Sequence, residues 1–170
     1  MKERNGLVTM KGNPLTLLGE EVKVGQSAPD VTLVANDLSE VKLSLFKGKK
    51  VIIAAVPSLD TGVCDTETKR FNAEAAKLGH DVVIVTVSTD LPFAQKRWCG
   101  AAGVNQVKTL SDHRDVAFGT AYGVLIKGLR ILARAIFVVD TKGIVQHIEL
   151  VKEVTTEPNY TAALEAVKNK

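Results

Sequence analysis

Apolar and polar residues follow two rhythms along this chain, and the places where one gives way to the other mark its elements. The opening segment GLVTMKGNPLTLLGEEV sets short β-prone runs on either side of Lys-Gly-Asn-Pro, which is turn chemistry and predicts an N-terminal hairpin. VTLVA and VKLSLF predict a second small β element. From residue 49, KKVIIAAVP is a short apolar run rich in β-branched residues, the pattern of a strand buried on both faces. A turn at SLDTG follows. VCDTETKRFNAEAAKLG then carries acids early, bases late and Gly79 at its end, which are helix start and stop signals. DVVIVTVSTD predicts another buried strand.

Strand, helix, strand over this length calls for a right-handed crossover and a parallel pair. Beyond it the pattern predicts a helix across PFAQKRWCGAAG, a short strand near VKTLS and a helix through DVAFGTAYG. RAIFVVD and IVQHIEL flank Thr-Lys-Gly and read as an antiparallel hairpin at the end of the sheet. NYTAALEAVKN closes the chain as an amphipathic helix. Parallel strands, then an antiparallel pair, with helices between and after, predict an α/β fold: a thioredoxin-like three-layer sandwich with a mixed central sheet and an N-terminal β-hairpin.

Composition narrows the function. At 170 residues, with 45% hydrophobic and 24% charged residues, the chain suits one folded domain spanning residues 1–170, with no repeat or linker dividing it. Aromatics are only 5%, so aliphatic side chains must fill the core. The net charge of +3 is spread along the chain without a polybasic run, which argues against nucleic acid as a partner. MKERNGLVTMKGNPLTLLGEE lacks the unbroken apolar stretch of a secretory signal, and no segment approaches membrane-spanning length. The expected compartment is the cytoplasm, where a permanent structural disulfide is disfavoured.

Only two cysteines are present, and the pattern puts Cys64 in the first turn of a helix that directly follows a buried strand. Unpaired N–H groups and the positive end of the helix dipole favour anions there, and the reactive form of cysteine is the thiolate. Thr61, one turn earlier, can cap the helix and also reach the sulfur or a substrate oxygen. Pro57 lacks an N–H and fixes its φ, so it can end the strand and wall the site without adding a donor. A lone cysteine on a helix is most often a small core residue, and Pro and Thr are ordinary in loops. Their joint spacing is what singles them out.

The pattern Pro-x-x-x-Thr-x-x-Cys formed by Pro57, Thr61 and Cys64 resembles the active-site motif of the peroxiredoxins. PSLDTGVCDTETKRFN, KGNPLTLLG, RWCG, LSDHRD, RAIFVVD and TTEPNY together look like the bacterial thiol peroxidase branch, an atypical two-cysteine group. The similarity runs from about residue 5 to the C-terminus. It implies that Cys64 is the peroxidatic cysteine and that Pro57 and Thr61 are its motif partners. The family's active-site arginine stands just before a core strand, and ARAIFVVD puts Arg134 there; Arg130 is the weaker candidate. A guanidinium is always charged and offers a fork of donors, so it can stabilise both a thiolate and the oxygen charge that develops as an O–O bond breaks. The competing reading of Arg134 is an exposed strand-edge residue with a surface partner.

Cys99 follows Trp98 on the next predicted helix, and its spacing from Cys64 is no C-x-x-C. His80, His113 and His147 are scattered, which argues against a zinc site and a cysteine protease; they read as surface or turn residues. The resemblance implies that Cys99 is the resolving cysteine. A Cys64–Cys99 disulfide needs Cα atoms within about 7 Å, so both helices would unwind locally between redox states, eased by Gly100 and Gly103.

The resulting expectation is a thiol-dependent peroxidase without a prosthetic group or metal. The resemblance implies that it reduces hydroperoxides, alkyl hydroperoxides in preference to hydrogen peroxide, that thioredoxin recycles it, and that it forms a homodimer with its active sites near the subunit contact. The rivals are a protein disulfide oxidoreductase, against which the missing C-x-x-C argues, and a non-catalytic thioredoxin-like binding or chaperone-like module in which both cysteines merely pack.

Overall fold

A computed structural model describes residues 1–168; Asn169, the last residue of the predicted closing helix, lies outside them. Strands β1 (Glu3–Met10) and β2 (Asn13–Leu18) form the N-terminal hairpin. Lys11 and Gly12 turn between them with φ of 50° and 81°. Positive φ at both central positions gives a two-residue turn the twist of its strands.

Next come β3 (Thr32–Val34), β4 (Glu40–Lys42) and a 3-10 turn at Leu43–Phe46. The predicted strand VKLSLF therefore stops halfway. Asp30 Oδ1 accepts from Ser44 N at 2.9 Å, and Lys47 N donates to Ser44 O, which curls the backbone out of the sheet.

The alternation of strand and helix then follows: β5 (Lys50–Ala55), α1 (Gly62–Leu78), β6 (Val82–Ser88), α2 (Pro92–Ala102) and β7 (Lys108–Ser111). The next helix, α3, covers only Ala117–Ala121 of the predicted DVAFGTAYG. Val116 before it has φ 46°, and the buried Asp112 carboxylate accepts from Phe118 N and Gly119 N, so the helix can begin no earlier. The short β8 (Leu125–Ile126) extends the hairpin sheet to the order β1-β2-β8. β9 (Ala135–Val139), β10 (Val145–Leu150) and α4 (Tyr160–Lys168) complete the fold.

The main sheet has seven strands in the order β10-β9-β5-β6-β7-β3-β4. β5, β6 and β7 run parallel, while β9 lies antiparallel on the other edge of β5. This is the mixed sheet of a thioredoxin-like sandwich. β5 explains its unbroken apolar run by serving two cores at once. Val51, Ile53 and Ala55 join Leu17 of the hairpin, Phe118 and Tyr122 on one face; Ile52 and Ala54 join Phe71 of α1 and Ala163 and Val167 of α4 on the other.

α1 leaves the C-terminal end of β5 and α2 that of β6, so the helices carrying Cys64 and Cys99 start from the same edge of adjacent parallel strands. The carboxyl ends of parallel strands are where open α/β sheets place their ligand crevices. Among the described residues no helix is long and apolar enough to cross a membrane.

Candidate active site

The loop between β5 and α1 is held at several points. Pro57 is buried directly after the strand. Ser58 Oγ and Leu59 N donate to the two oxygens of Asp90, at 2.7 and 2.8 Å, and Ser88 Oγ donates to the same carboxylate at 2.7 Å. The loop after β5 is thereby clamped to the end of β6. Thr61 is the N-cap of α1, with extended backbone dihedrals; its Oγ1 accepts from Cys64 N at 3.3 Å and donates to Ser58 O at 3.1 Å. An N-cap hydroxyl satisfies one of the free amides of the first helical turn.

Cys64 lies in that first turn, fully buried with Val56 and Leu59, and Trp98 packs against this small cluster. Arg134, the residue before β9, is only 1% exposed despite its charge. Its Nε donates to Val154 O at 2.9 Å, Nη1 to Glu67 Oε2 at 2.5 Å and Nη2 to Cys64 Sγ at 3.2 Å. The fork thus spans one carboxylate and one sulfur. Glu67 is wholly buried one helical turn after Cys64, and its second oxygen has no hydrogen-bond partner among the described residues.

Charge balance in this pocket follows from one cation facing two acids. Burial pushes the Glu67 carboxyl up to about 7, and the nearby Arg134 charge opposes that rise without cancelling it. Burial works against the Arg134 charge too, yet Glu67 and Cys64 outweigh it and hold the guanidinium more firmly protonated than a free one. A fixed cation 3.2 Å from sulfur, with the amide-rich start of α1 on the same atom's side, stabilises negative charge there. Chemically, such a site can present a nucleophilic sulfur and hold an anionic oxygen leaving it.

Cys99 lies elsewhere. Both thiols are free, and Cys99, half-buried on α2, sits with its Sγ 3.5 Å from Thr109 Oγ1 on β7. The segments are nevertheless tied, because Trp98 Nε1 donates to Asp65 Oδ1 at 2.9 Å. Of the residues singled out in the sequence, the structure brings Cys64, Thr61 and Arg134 together, sets Pro57 at the base of their loop, and keeps Cys99 on the neighbouring helix. Arg130 is exposed in a turn with φ 55°, away from this cluster. His147 is a half-buried strand residue of β10, with its Nε2 shielded, and so is not a turn residue.

Two residues of the site went unread in the sequence. Glu67 carries a signal, an acid one turn from the cysteine, but it passed as one of the early acids of an ordinary helix. Asp90 ends the strand segment VSTD, and nothing local in the sequence links it to Ser58.

Comparison with known proteins bears on the family and the fold. The family model described as Redoxin matches residues 23–164. A thiol peroxidase of Bacillus subtilis (strain 168) is 58% identical over 161 residues, covering 95% of this chain and 96% of that protein. One from Halalkalibacterium halodurans is 59% identical over the same shares. Among solved structures, a peroxiredoxin-like protein from Aquifex aeolicus superposes with a TM-score of 0.90 at 45% identity, covering 96% of this chain and 97% of that one. A thiol peroxidase from Chromobacterium violaceum reaches 0.82 at 20% identity, covering 95% and 94%, a likeness of fold alone.

Proposed function

We propose, for a chain that belongs to the Redoxin family and works as a thiol-dependent peroxidase, a cycle carried by its own two cysteines in a single domain with no prosthetic group. The Cys64 thiolate attacks the terminal oxygen of a hydroperoxide. The O–O bond breaks, sulfur takes the terminal OH to become sulfenic acid, and the oxygen left behind departs as alcohol or water with the proton that Cys64 released on ionising. The Cys99 thiol then condenses with it, an S–S bond forms, and the sulfenic oxygen departs as water. An external dithiol protein reduces the disulfide by exchange and restores both thiols.

The observation that supports this reading most is the Arg134 contact: a buried guanidinium donates to Cys64 Sγ at 3.2 Å, at the start of a helix capped by Thr61. A buried arginine aimed at a packing thiol would gain little, whereas one aimed at a nucleophile lowers the cost of charge on sulfur and on the departing oxygen. Pro57, buried directly after β5, opens the loop that leads to Cys64. The family resemblance points to thioredoxin as the reductant and to alkyl hydroperoxides over hydrogen peroxide, and a cycle that returns to free thiols suits a reducing compartment such as the cytoplasm.

A homodimer fits the surface. Leu91 and Phe93 are exposed, at 54% and 66%, on either side of Pro92 and next to Asp90, whose carboxylate anchors the Cys64 loop. A twofold contact over them would cover an apolar edge beside the site.

The test is turnover of an alkyl hydroperoxide coupled to thioredoxin and its reductase. Cys64→Ser should abolish peroxide consumption. Cys99→Ser should consume one equivalent per chain and then stop. Equal loss of the first equivalent in both variants would remove the assigned division of roles.

A further inference from the structure

We infer that Thr109 and Asn36 are positioning residues that retain the Cys99 thiol on β7 and so set how readily it leaves to meet Cys64, an inference that rests on the resolving role proposed for Cys99. The geometry is a short polar chain. Thr109 Oγ1 donates to Asn36 Oδ1 at 3.2 Å, and Cys99 Sγ lies 3.5 Å from the same Thr109 oxygen. A hydroxyl has one proton to give. With that proton committed to Asn36, Thr109 can only accept from Cys99, so the sulfur is the donor of this contact. The thiolate, not the thiol, is the nucleophile, so the chain withholds position and reactivity together.

The rest of α2 shows why so small a contact matters. Its N-terminal half is anchored by Gln95, fully buried, whose Nε2 donates to Ser88 Oγ and to Leu110 O. Its C-terminal half holds Gly100 and ends at Gly103 in a left-handed cap. Its side-chain hydrogen bonds to the rest of the fold, among the described residues, are Trp98 to Asp65 and Cys99 to Thr109. Freeing Cys99 therefore breaks two single bonds while Gln95 keeps the helix attached.

The sheet also offers a landing point. Thr86 of β6 stands beside Thr109 in cross-strand register, one strand nearer to β5, from which the Cys64 loop departs. Its hydroxyl is buried and has no partner among the described residues. A thiol moving off Thr109 toward α1 passes a hydroxyl free to take it.

Thr109→Val removes the acceptor at nearly constant volume, and Thr109→Ser keeps it. In a Cys64→Ser background, alkylation of Cys99 by iodoacetamide at neutral pH should quicken about three-fold in Thr109→Val, a little less than one full hydrogen bond would give, and stay unchanged in Thr109→Ser. Asn36→Ala should quicken it too, because the released hydroxyl proton can turn toward the sulfur. With Cys64 present and one equivalent of cumene hydroperoxide, disulfide formation followed by Trp98 fluorescence should accelerate in the same order. With excess peroxide, which oxidises the sulfenic acid to sulfinic acid and is itself reduced to the alcohol, the sulfinic fraction should fall.

Alkylation in Thr109→Val no faster than in the parent overturns the inference. A parent protein that consumes peroxide but forms no Cys64–Cys99 disulfide overturns the resolving role instead, whatever the alkylation rates.

Discussion

Trp98 Nε1 donates to Asp65 Oδ1 at 2.9 Å, so the residue before Cys99 is bonded to the residue after Cys64. Trp98→Phe keeps an aromatic ring over the Cys64 cluster and deletes only the donor. The reduced protein should lose about 1 kcal/mol of stability, the worth of one ordinary hydrogen bond. Amide exchange at residues 98–102 should rise about five-fold, with β5 and β6 unaffected. Uniform change across the sheet would mean that the bond supports the whole fold rather than the end of α2.

Arg134 offers a sharper contrast between charge and shape. Arg134→Lys keeps a cation but loses the fork that reaches Glu67 and Cys64 at once. Arg134→Met removes both. Peroxide reduction should fall at least a hundred-fold in Arg134→Met, with Arg134→Lys in between, as for removal of an oxyanion donor. Second-order rate constants for the first equivalent of peroxide measure this directly. Equal rates for the two variants would show that charge contributes nothing.

Glu67 should leave its mark on stability against pH. Its carboxyl is raised by burial to about 7 in the folded protein, above the ordinary glutamate value of 4.5, so the folded state binds more protons than the unfolded chain between those limits. The stabilisation is complete below about pH 4.5 and is lost as pH rises through about 7. The full span is roughly 3 kcal/mol at 1.36 kcal/mol per unit. Urea denaturation of the reduced protein at pH 5 and pH 8 should show that slope, and Glu67→Gln should flatten it. A slope unchanged in Glu67→Gln would assign it to other groups.

Asp90 should act on the Cys64 loop without touching sulfur. Its carboxylate accepts from Ser58 Oγ, Leu59 N and Ser88 Oγ, a set that an amide cannot fully match. Asp90→Asn should lower the rate with hydroperoxide about ten-fold, a typical loss when a reacting group is slightly misplaced, with an unchanged far-ultraviolet spectrum. Ser58→Ala should cost less, since the Leu59 bond remains. The reverse order would make the hydroxyl, not the clamp, the important partner.

Elements with their own period were legible from the sequence. The hairpin at Lys11–Gly12, the buried β5 and β6, and α1 from its cap to Gly79 follow from local chemistry alone. α3 and the 3-10 turn did not, because Asp112 and Asp30 reach backbone amides that propensity does not count. The site divides in the same way. Pro57, Thr61 and Cys64 are close in sequence, so their spacing is visible. Arg134 was reached through the family resemblance, which places an arginine just before a core strand, and its deep burial depends on β9 lying beside β5. Glu67 and Asp90 take their meaning from partners 67 and 31 residues away, and no local rhythm carries that.

β5 is hydrogen-bonded along both of its edges, to β6 and to β9. Cys64 therefore hangs from a beam braced on both sides, while Cys99 rides on a helix hinged at one end. Repeated turnover would flex only that hinged arm and the first coil below Cys64. Any strain from many oxidation rounds would then gather in those two segments and leave the sheet intact.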